Sequence, residues 1–154
     1  MSLAIEKLLT PAVGHPAQHS VEQQDRSLNI AVVFTSVEST LAALKEAGAL
    51  AQSLGAQIAL LVPQVVPYPL PLESPPVLVD FSEKRFHVIA SQSPVDTKVC
   101  IYLCRDQLET LTNVLQPSSI VVIGGRKRWW PTRETRLAHK LRKAGHEVLF
   151  KETE

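Results

Sequence analysis

Short apolar runs that alternate with stretches of helical periodicity constrain the fold of this chain more than any other feature. The runs are rich in β-branched residues and mostly lack polar alternation, which is typical of strands covered on both faces. They are LNIAVVF (28–34), AQIALLV (56–62), TKVCIYLC (97–104), SSIVVIGG (118–125) and EVLF (147–150). We predict a β-strand at each of these runs.

Four segments between the runs carry the apolar spacing of amphipathic helices. In the first, leucines and alanines recur at helical intervals, Ser39 is the predicted cap and Gly55 the predicted end. The predicted helices cover residues 40–55, 77–92, 105–116 and 131–146. Strict alternation of strand and helix predicts an α/β fold with a doubly wound, mainly parallel five-stranded sheet and helices on both faces.

Two stretches fall outside this alternation. Residues 1–27 contain a linker-like Pro/Gly/His segment and are predicted to be a flexible N-terminal arm or linker before an α/β domain at 28–154. Residues 63–76, PQVVPYPLPLESPP, are dense in proline, which disfavours helix interiors and central strands. This stretch is therefore predicted to be a long excursion at a strand end.

Net charge, hydropathy and cysteine usage restrict the function classes. A net charge of +1 argues against a molecule drawn as a whole onto nucleic acid. No apolar run has transmembrane length and no secretory signal is present, so we expect a cytoplasmic protein. Cys100 and Cys104 would lie about 13 Å apart on one strand, too far for a disulfide. Both are predicted to be buried thiols in a reducing compartment.

Positive charge is concentrated between residues 126 and 143, which carry eight Lys or Arg residues and one Glu. Cations near a helix C-terminus oppose the helix dipole, and this explains Lys140, Arg142 and Lys143 as a solvated helix face. Arg126, Lys127 and Arg128 precede the helix, where cations are unfavourable unless an anion is present. A solvated face and an anion site both remain open interpretations here.

The candidate ligand site lies beyond the carboxyl ends of the strands, where ligands of open α/β sheets usually bind. The fourth predicted strand is expected to turn on two glycines just before the cations. The ligand would be an anionic small molecule or an acidic protein surface. The candidate residues are Thr35, Ser36, Gly124, Gly125, Arg126, Lys127, Arg128 and Thr132.

Trp129 and Trp130 admit several roles. One of them could cover the sheet edge or fold back over the proline-rich stretch near Tyr68, since tryptophan is rarely fully exposed. Aromatic rings among cations also suit stacking on a base. Together with Arg133 and Arg136, the pair could instead contact a partner or an anionic membrane surface.

The order of elements over residues 28–151 resembles the universal stress protein family. Three passages carry the resemblance: residues 29–62, 107–125 (QLETLTNVLQPSSIVVIGG) and 140–150 (KLRKAGHEVLF). The first includes the cadence A..LA...GA.I.L. The resemblance implies a regulatory role in stress response and a homodimer, for which the apolar end strand with Val148, Leu149 and Phe150 is the candidate edge.

The chain departs from the nucleotide-binding members of that family at two places. Those members follow the fourth strand with Gly, two residues, Gly, nine residues and then Gly-Ser or Gly-Thr. Three residues beyond Gly124 and Gly125, this chain has Lys127 and Arg128, and its first strand ends in Phe34-Thr35-Ser36 instead of an aspartate. ATP or another adenine nucleotide is therefore disfavoured, and no cofactor is predicted.

We predict a non-enzymatic binding or regulatory module that recognises an anion through the basic loop. No nucleophile, base and orienting acid are forced together by the sequence, so no catalytic residue and no metal site is predicted. Two other hypotheses stay open: the cytoplasmic regulatory domain of a membrane transporter of the amino-acid permease or antiporter type, and nucleotide binding through an altered loop.

Overall fold

The predicted strands assemble with one further short strand into a single sheet in the computed structural model, which describes residues 3–5 and 28–154. The strands are β1 (Leu3–Ile5), β2 (Asn29–Val33), β3 (Gln57–Val65), β4 (Thr97–Cys104), β5 (Ile120–Arg126) and β6 (Glu147–Thr153). The helices are α1 (Val37–Leu54), α2 (Val79–Ala90), α3 (Gln107–Val114) and α4 (Arg133–Lys143).

The strand order is β1-β4-β3-β2-β5-β6, with β2 to β6 parallel and β1 antiparallel to β4. This confirms the predicted α/β fold with its five-stranded parallel sheet. The chain runs outward from β2 through β3 to β4, and it then continues on the other side of β2 with β5 and β6. The carboxyl ends of β2 and β5 therefore form the switch point at which ligands of such sheets usually bind.

Helices cover both faces of the sheet, as predicted. α1 and α2 pack on one face, where Leu44 and Phe86 belong to the same core cluster as Val32 of β2. α3 and α4 pack on the other face, where Leu111 and Leu141 join a second cluster. The interiors of β2, β4 and β5 are thus buried on both sides, which is why these strands are apolar runs instead of alternating ones.

The first helix begins at a different serine from the predicted one. Ser36 has extended backbone angles, and its hydroxyl accepts a hydrogen bond from the Ser39 amide, so Ser36 is the N-cap of α1. Ser39 lies inside the helix, is 3% exposed, and contacts the sheet. The prediction of Ser39 as the cap is wrong because the helix starts one turn earlier, at Val37.

Pro63 lies inside β3, although proline was expected to be excluded from a central strand. β2 ends at Val33, which pairs with Leu61, while β3 continues alongside β4 as far as Val65. Beyond Leu61, β3 therefore has a partner strand on one side only. Proline, which cannot donate a backbone hydrogen bond, is tolerated at such a local edge.

The prediction of an arm or linker at 1–27 falls largely outside the described residues. Of this stretch, the structure describes Leu3–Ile5, which pairs with β4 as β1. Neither Cys100 nor Cys104 forms a disulfide, and both are buried, as predicted; the reducing compartment remains a prediction. Within residues 3–5 and 28–154, no helix combines the length and the apolarity that crossing a bilayer requires.

Candidate functional site

Hydrogen bonds of side-chain hydroxyl groups link the segments that meet at the switch point between β2 and β5. The Thr35 hydroxyl donates to the carbonyl oxygen of Gly124 at 2.8 Å, and the Thr35 amide donates to the hydroxyl of Thr40 at 3.1 Å. The Ser39 and Thr153 hydroxyls lie 3.2 Å apart, and the Thr153 hydroxyl donates to the Gly125 carbonyl at 3.3 Å. Two of the candidate ligand residues therefore already have structural hydrogen bonds. Thr35 links the end of β2 to β5, and Ser36 caps the start of α1.

Gly124 and Gly125 are buried within β5 and do not form the expected turn, because β5 continues to Arg126 alongside β6. A Cβ atom on Gly124 would lie 2.0 Å from the carbonyl oxygen of Ser39. A Cβ atom on Gly125 would lie 2.6 Å from Cζ of Phe150. These glycines permit close packing of α1 and of the Phe150 ring against β5.

The segment after β5 forms an open cavity of about 350 Å³ at the start of α4. Its lining joins five of the candidate residues to Pro131 and Glu134: Arg126, Arg128, Trp130, Thr132 and Arg133. Three arginine residues thus line one cavity. Glu134 is not among the predicted site residues, although its place in the first turn of the predicted helix brings it to the same end of α4.

Two of the cations at the end of β5 already have acidic partners. Nη2 of Arg126 lies 3.3 Å from Oε2 of Glu38, and Nζ of Lys127 lies 3.9 Å from Oε2 of Glu152. These side chains are more than half exposed, so each pair stabilises the fold only weakly. Within the described part of the chain, Arg128 and Arg133 form no ion pair, and these two retain the most free positive charge at the cavity.

The N-terminus of α4 adds its own partial positive charge to the cavity. Thr132 caps this helix, since its hydroxyl accepts from the Thr135 amide at 3.2 Å. The helix that follows has eleven residues, enough for an aligned dipole with its positive end beside Arg128 and Arg133. An anion in the cavity would therefore meet three arginine residues and a helix dipole of favourable sign, opposed by the single carboxylate of Glu134.

The basic run does not form one continuous patch. Lys140, Arg142 and Lys143 occupy the last turn of α4, and Lys143 lies about 15 Å along the helix axis from Arg133. Nη2 of Arg142 donates to the carbonyl of Val148 at 2.9 Å. The interpretation of a polar helix face that opposes the dipole fits these three residues, while the anion interpretation concerns the opposite end of the helix.

Both tryptophans project into solvent, which contradicts the expectation that one covers the sheet edge or the proline-rich stretch. Trp129 is 94% exposed and Trp130 is 77% exposed. Tyr68, their expected neighbour, instead lies against Arg105, whose Cζ is 4.3 Å from the ring centroid. Arg136 is exposed as well and lines a separate shallow groove on the other side of Pro131.

The three residues of the candidate dimer edge differ in their exposure. Val148 is buried and Phe150 is half-buried, and both belong to the core beneath α4. Leu149 is 37% exposed. β6 pairs with β5 on one side and is the last strand of the sheet as described.

Metal-ligating side chains and the Cys104 thiol are two further candidates for chemistry among the described residues. Nowhere in residues 3–5 and 28–154 do three or more His, Cys, Asp or Glu side chains come close enough to hold a metal ion. Burial raises the pKa of the Cys104 thiol, with Asp106 adding to the rise and a hydrogen bond with Thr110 opposing it. This keeps the thiol protonated and unreactive near neutral pH.

Comparison with known proteins supports the fold. A solved structure of a universal stress protein from Archaeoglobus fulgidus superposes with a TM-score of 0.59 over 80% of this chain and 92% of that one, at 14% sequence identity. No family model matches the chain, and no significant match is found among the curated proteins. The chain therefore has the universal stress protein fold, and at this identity the likeness concerns the fold alone.

Proposed function

We propose that this chain is a non-enzymatic regulatory module that recognises the phosphate group of a small molecule at the cavity before α4. The observation that carries this proposal is the convergence of Arg126, Arg128 and Arg133 on one cavity at a helix N-terminus. Guanidinium groups bind phosphate through paired, charge-assisted hydrogen bonds. The universal stress protein fold is consistent with a binding module in general.

The geometry distinguishes this proposal from recognition through a glycine-rich loop. Gly124 and Gly125 lie buried in β5, with their open sides filled by α1 and Phe150. The residues that line the cavity are three arginines together with Trp130, Pro131, Thr132 and Glu134. Arginine side chains can adjust to the position of an anion, so such a site suits phosphate groups on different carriers.

Thermal unfolding in the presence of phosphate compounds tests the proposal. The series contains inorganic phosphate, AMP, ADP, ATP and cyclic dinucleotides, each from low to millimolar concentration. A ligand present at a hundred times its Kd stabilises the folded state by about 2.7 kcal/mol, which is readily measured as a rise in Tm. We expect at least one phosphate compound to raise the Tm.

The double variant Arg128→Ala/Arg133→Ala should lose this response, because it removes the two cavity cations that have no acidic partner among residues 3–5 and 28–154. Lys140→Ala/Lys143→Ala is the matched control, since it removes the same charge from the other end of α4. The control should respond like the wild type. Equal responses of all three proteins, or no response to any compound, would contradict phosphate recognition here.

The other hypotheses remain predictions with separate tests. Binding of an adenine nucleotide through an altered loop predicts a Tm rise with ATP, ADP or AMP that inorganic phosphate does not reproduce. A regulatory domain of a transporter predicts a set of hydrophobic spans in the same reading frame. Neither is needed to explain the arginine cavity.

A further inference from the structure

We propose that the segment Arg128–Arg133, called here the tryptophan tip, docks this protein onto an anionic membrane surface. The tip contains both tryptophans of the chain, between Arg128 and Arg133. This inference goes beyond phosphate recognition in solution, because it rests on the exposed indole rings and not only on the arginine cavity.

The exposure of the two indole rings is the first observation. Trp129 and Trp130 are adjacent, at 94% and 77% exposure, and they are the two most exposed aromatic rings of the described residues apart from Tyr68. Tyr68 is held against Arg105 in a cation–π contact. An indole ring carries a large apolar surface and one N–H donor, a combination favoured at the boundary between water and lipid.

The charge around the rings is the second observation. Arg126 and Lys127 are paired with Glu38 and Glu152, whereas Arg128 and Arg133, on either side of the rings, have no ion pair within the described part of the chain. Each cation held near an anionic leaflet increases partitioning roughly fivefold. The positive end of the α4 dipole adds to this attraction.

Proline and the helix start give the tip a fixed position. Pro131 directly follows Trp130, and Thr132 then caps α4. Ordering the backbone of the tip therefore costs less on binding than ordering a free loop would. The rings and the cations belong to one short segment at the carboxyl edge of the sheet, which suits contact with a flat surface better than insertion into a deep groove.

A membrane accounts for these features better than nucleic acid does. The net charge of the chain is only +1, so the field that would draw a polyanion onto it is local and small. Shallow contact with a leaflet requires only a few cations and aromatic rings at one place. It does not require an apolar helix face, and the buried residues of α4, Leu137, Ala138 and Leu141, already pack against the sheet.

Intrinsic tryptophan fluorescence tests the inference without any label, because both tryptophans of the chain lie in the tip. The protein is titrated with phosphatidylcholine vesicles with and without phosphatidylserine. We expect a blue shift of the emission with the anionic vesicles, quenching by brominated acyl chains, and co-flotation that weakens as salt is added. The neutral vesicles should give at least tenfold weaker binding.

Three variants separate the contributions of rings and charges. Trp129→Ala/Trp130→Ala, followed by co-flotation, should bind anionic vesicles at least tenfold more weakly. Arg128→Ala/Arg133→Ala should lose roughly fivefold per removed cation. Lys140→Ala/Lys143→Ala carries the same charge change at the far end of α4 and should bind as the wild type does. Unchanged thermal unfolding of each variant shows that the fold is retained.

Several results would overturn membrane docking. They are the absence of a blue shift with anionic vesicles, equal binding to neutral vesicles, equal losses in the lysine control, or a larger shift with single-stranded RNA that displaces the vesicles. The two proposals fail separately. Vesicle binding without any Tm response to phosphate compounds rejects only the proposed function, and a Tm response without vesicle binding rejects only the tryptophan tip.

Discussion

Gly124 and Gly125 are neighbours in β5, yet a side chain at each would meet a different kind of atom. At Gly124 the obstacle is the backbone of Ser39, which cannot move without a shift of α1. At Gly125 the nearest atom is the far edge of the Phe150 ring, which can tilt. Both glycines are therefore required by packing, and the requirement is stricter at Gly124 than at Gly125. Neither has a positive φ that would require glycine.

Alanine substitution should therefore destabilise the protein more at Gly124 than at Gly125. Overpacking of a core typically costs about 1–3 kcal/mol. We expect Gly124→Ala at or above the upper end of this range and Gly125→Ala near the lower end, measured as the free energy of unfolding in urea. Equal costs at the two positions would show that the approach of α1 to β5 is not the limiting contact.

The Cys104 thiol should make the free energy of unfolding depend on pH in the alkaline range. Burial raises the pKa of its thiol above the ordinary value of 9.0. The folded state therefore holds this proton more tightly than the unfolded state does. The resulting stability is fully present below pH 9 and is lost as pH rises toward the folded-state pKa, by up to about 1.4 kcal/mol per pH unit.

The expected result is a difference between two pH profiles. Wild type and Cys104→Ala are unfolded in urea at several pH values from 7 to about 10.5. The cavity left by the substitution lowers stability by a constant amount, whereas the pH-dependent part disappears. The free-energy gap between the two proteins should therefore narrow above pH 9. A constant gap would contradict a raised thiol pKa.

The proline-rich stretch after β3 is organised by a single arginine that follows β4. Nη1 and Nη2 of Arg105 donate to the carbonyls of Val66 and Leu70, each at 2.7 Å, and the guanidinium stacks on Tyr68. This planar group joins two carbonyls and a ring at once. Lysine cannot reproduce this arrangement with its single ammonium group.

Removing this arginine should loosen the stretch while the sheet stays intact. We expect Arg105→Ala to lower the free energy of unfolding by about 1–3 kcal/mol, since a charged donor is lost. Hydrogen exchange should accelerate within residues 66–78. Arg105→Lys should show nearly the same accelerated exchange as Arg105→Ala, because a single ammonium group cannot hold both carbonyls in place. Unchanged exchange in both variants would mean that the prolines alone order this stretch.

For the molecule as a whole, the outer side of β6, the last strand of the sheet among the described residues, is the candidate surface for a second copy. Val148 and Phe150 contribute to the core, so Leu149 is the member of the predicted dimer edge that is available for contact. The resemblance noted in the sequence implies a homodimer at this strand. The structure describes a single chain, and the dimer therefore remains a prediction.

Sedimentation velocity of a variant with a charge introduced on β6 tests the predicted dimer. Leu149→Lys should shift the protein from dimer to monomer, because a lysine on an edge strand opposes strand pairing between copies. The same substitution should change the stability of the monomer little, since Leu149 is 37% exposed. Lys151→Ala serves as a control on the same strand. A wild-type protein that sediments as a monomer would contradict the edge prediction.

Much of the fold follows from local patterns that the sequence states directly. The apolar runs, the helical spacing between them and their alternation were sufficient for the parallel sheet and for helices on both faces. Gly55 was predicted as the end of the first helix and is its C-cap, in the left-handed conformation. These features depend on residues near one another in the chain, and for this reason they could be predicted.

The candidate site was predicted less completely, because its properties depend on residues distant in the chain. The pairing of Arg126 with Glu38 joins positions 88 residues apart, and the contact between Ser39 and Gly124 is of the same kind. Spacing along the chain carries no information about such contacts. The exposure of Trp129 and Trp130 also depends on residues distant in the chain. The average preference of tryptophan for burial does not indicate which neighbours are close enough to cover these two rings.

The amino-acid order alone thus specified strands, helices and their layering, since backbone hydrogen bonding and the burial of apolar faces act over a few residues at a time. The tertiary structure decided which cations have acidic partners, which neighbours pack against the two adjacent glycines, and that both indole rings face water. Those outcomes depend on which elements the folding of the sheet brings together, and no local pattern encodes that.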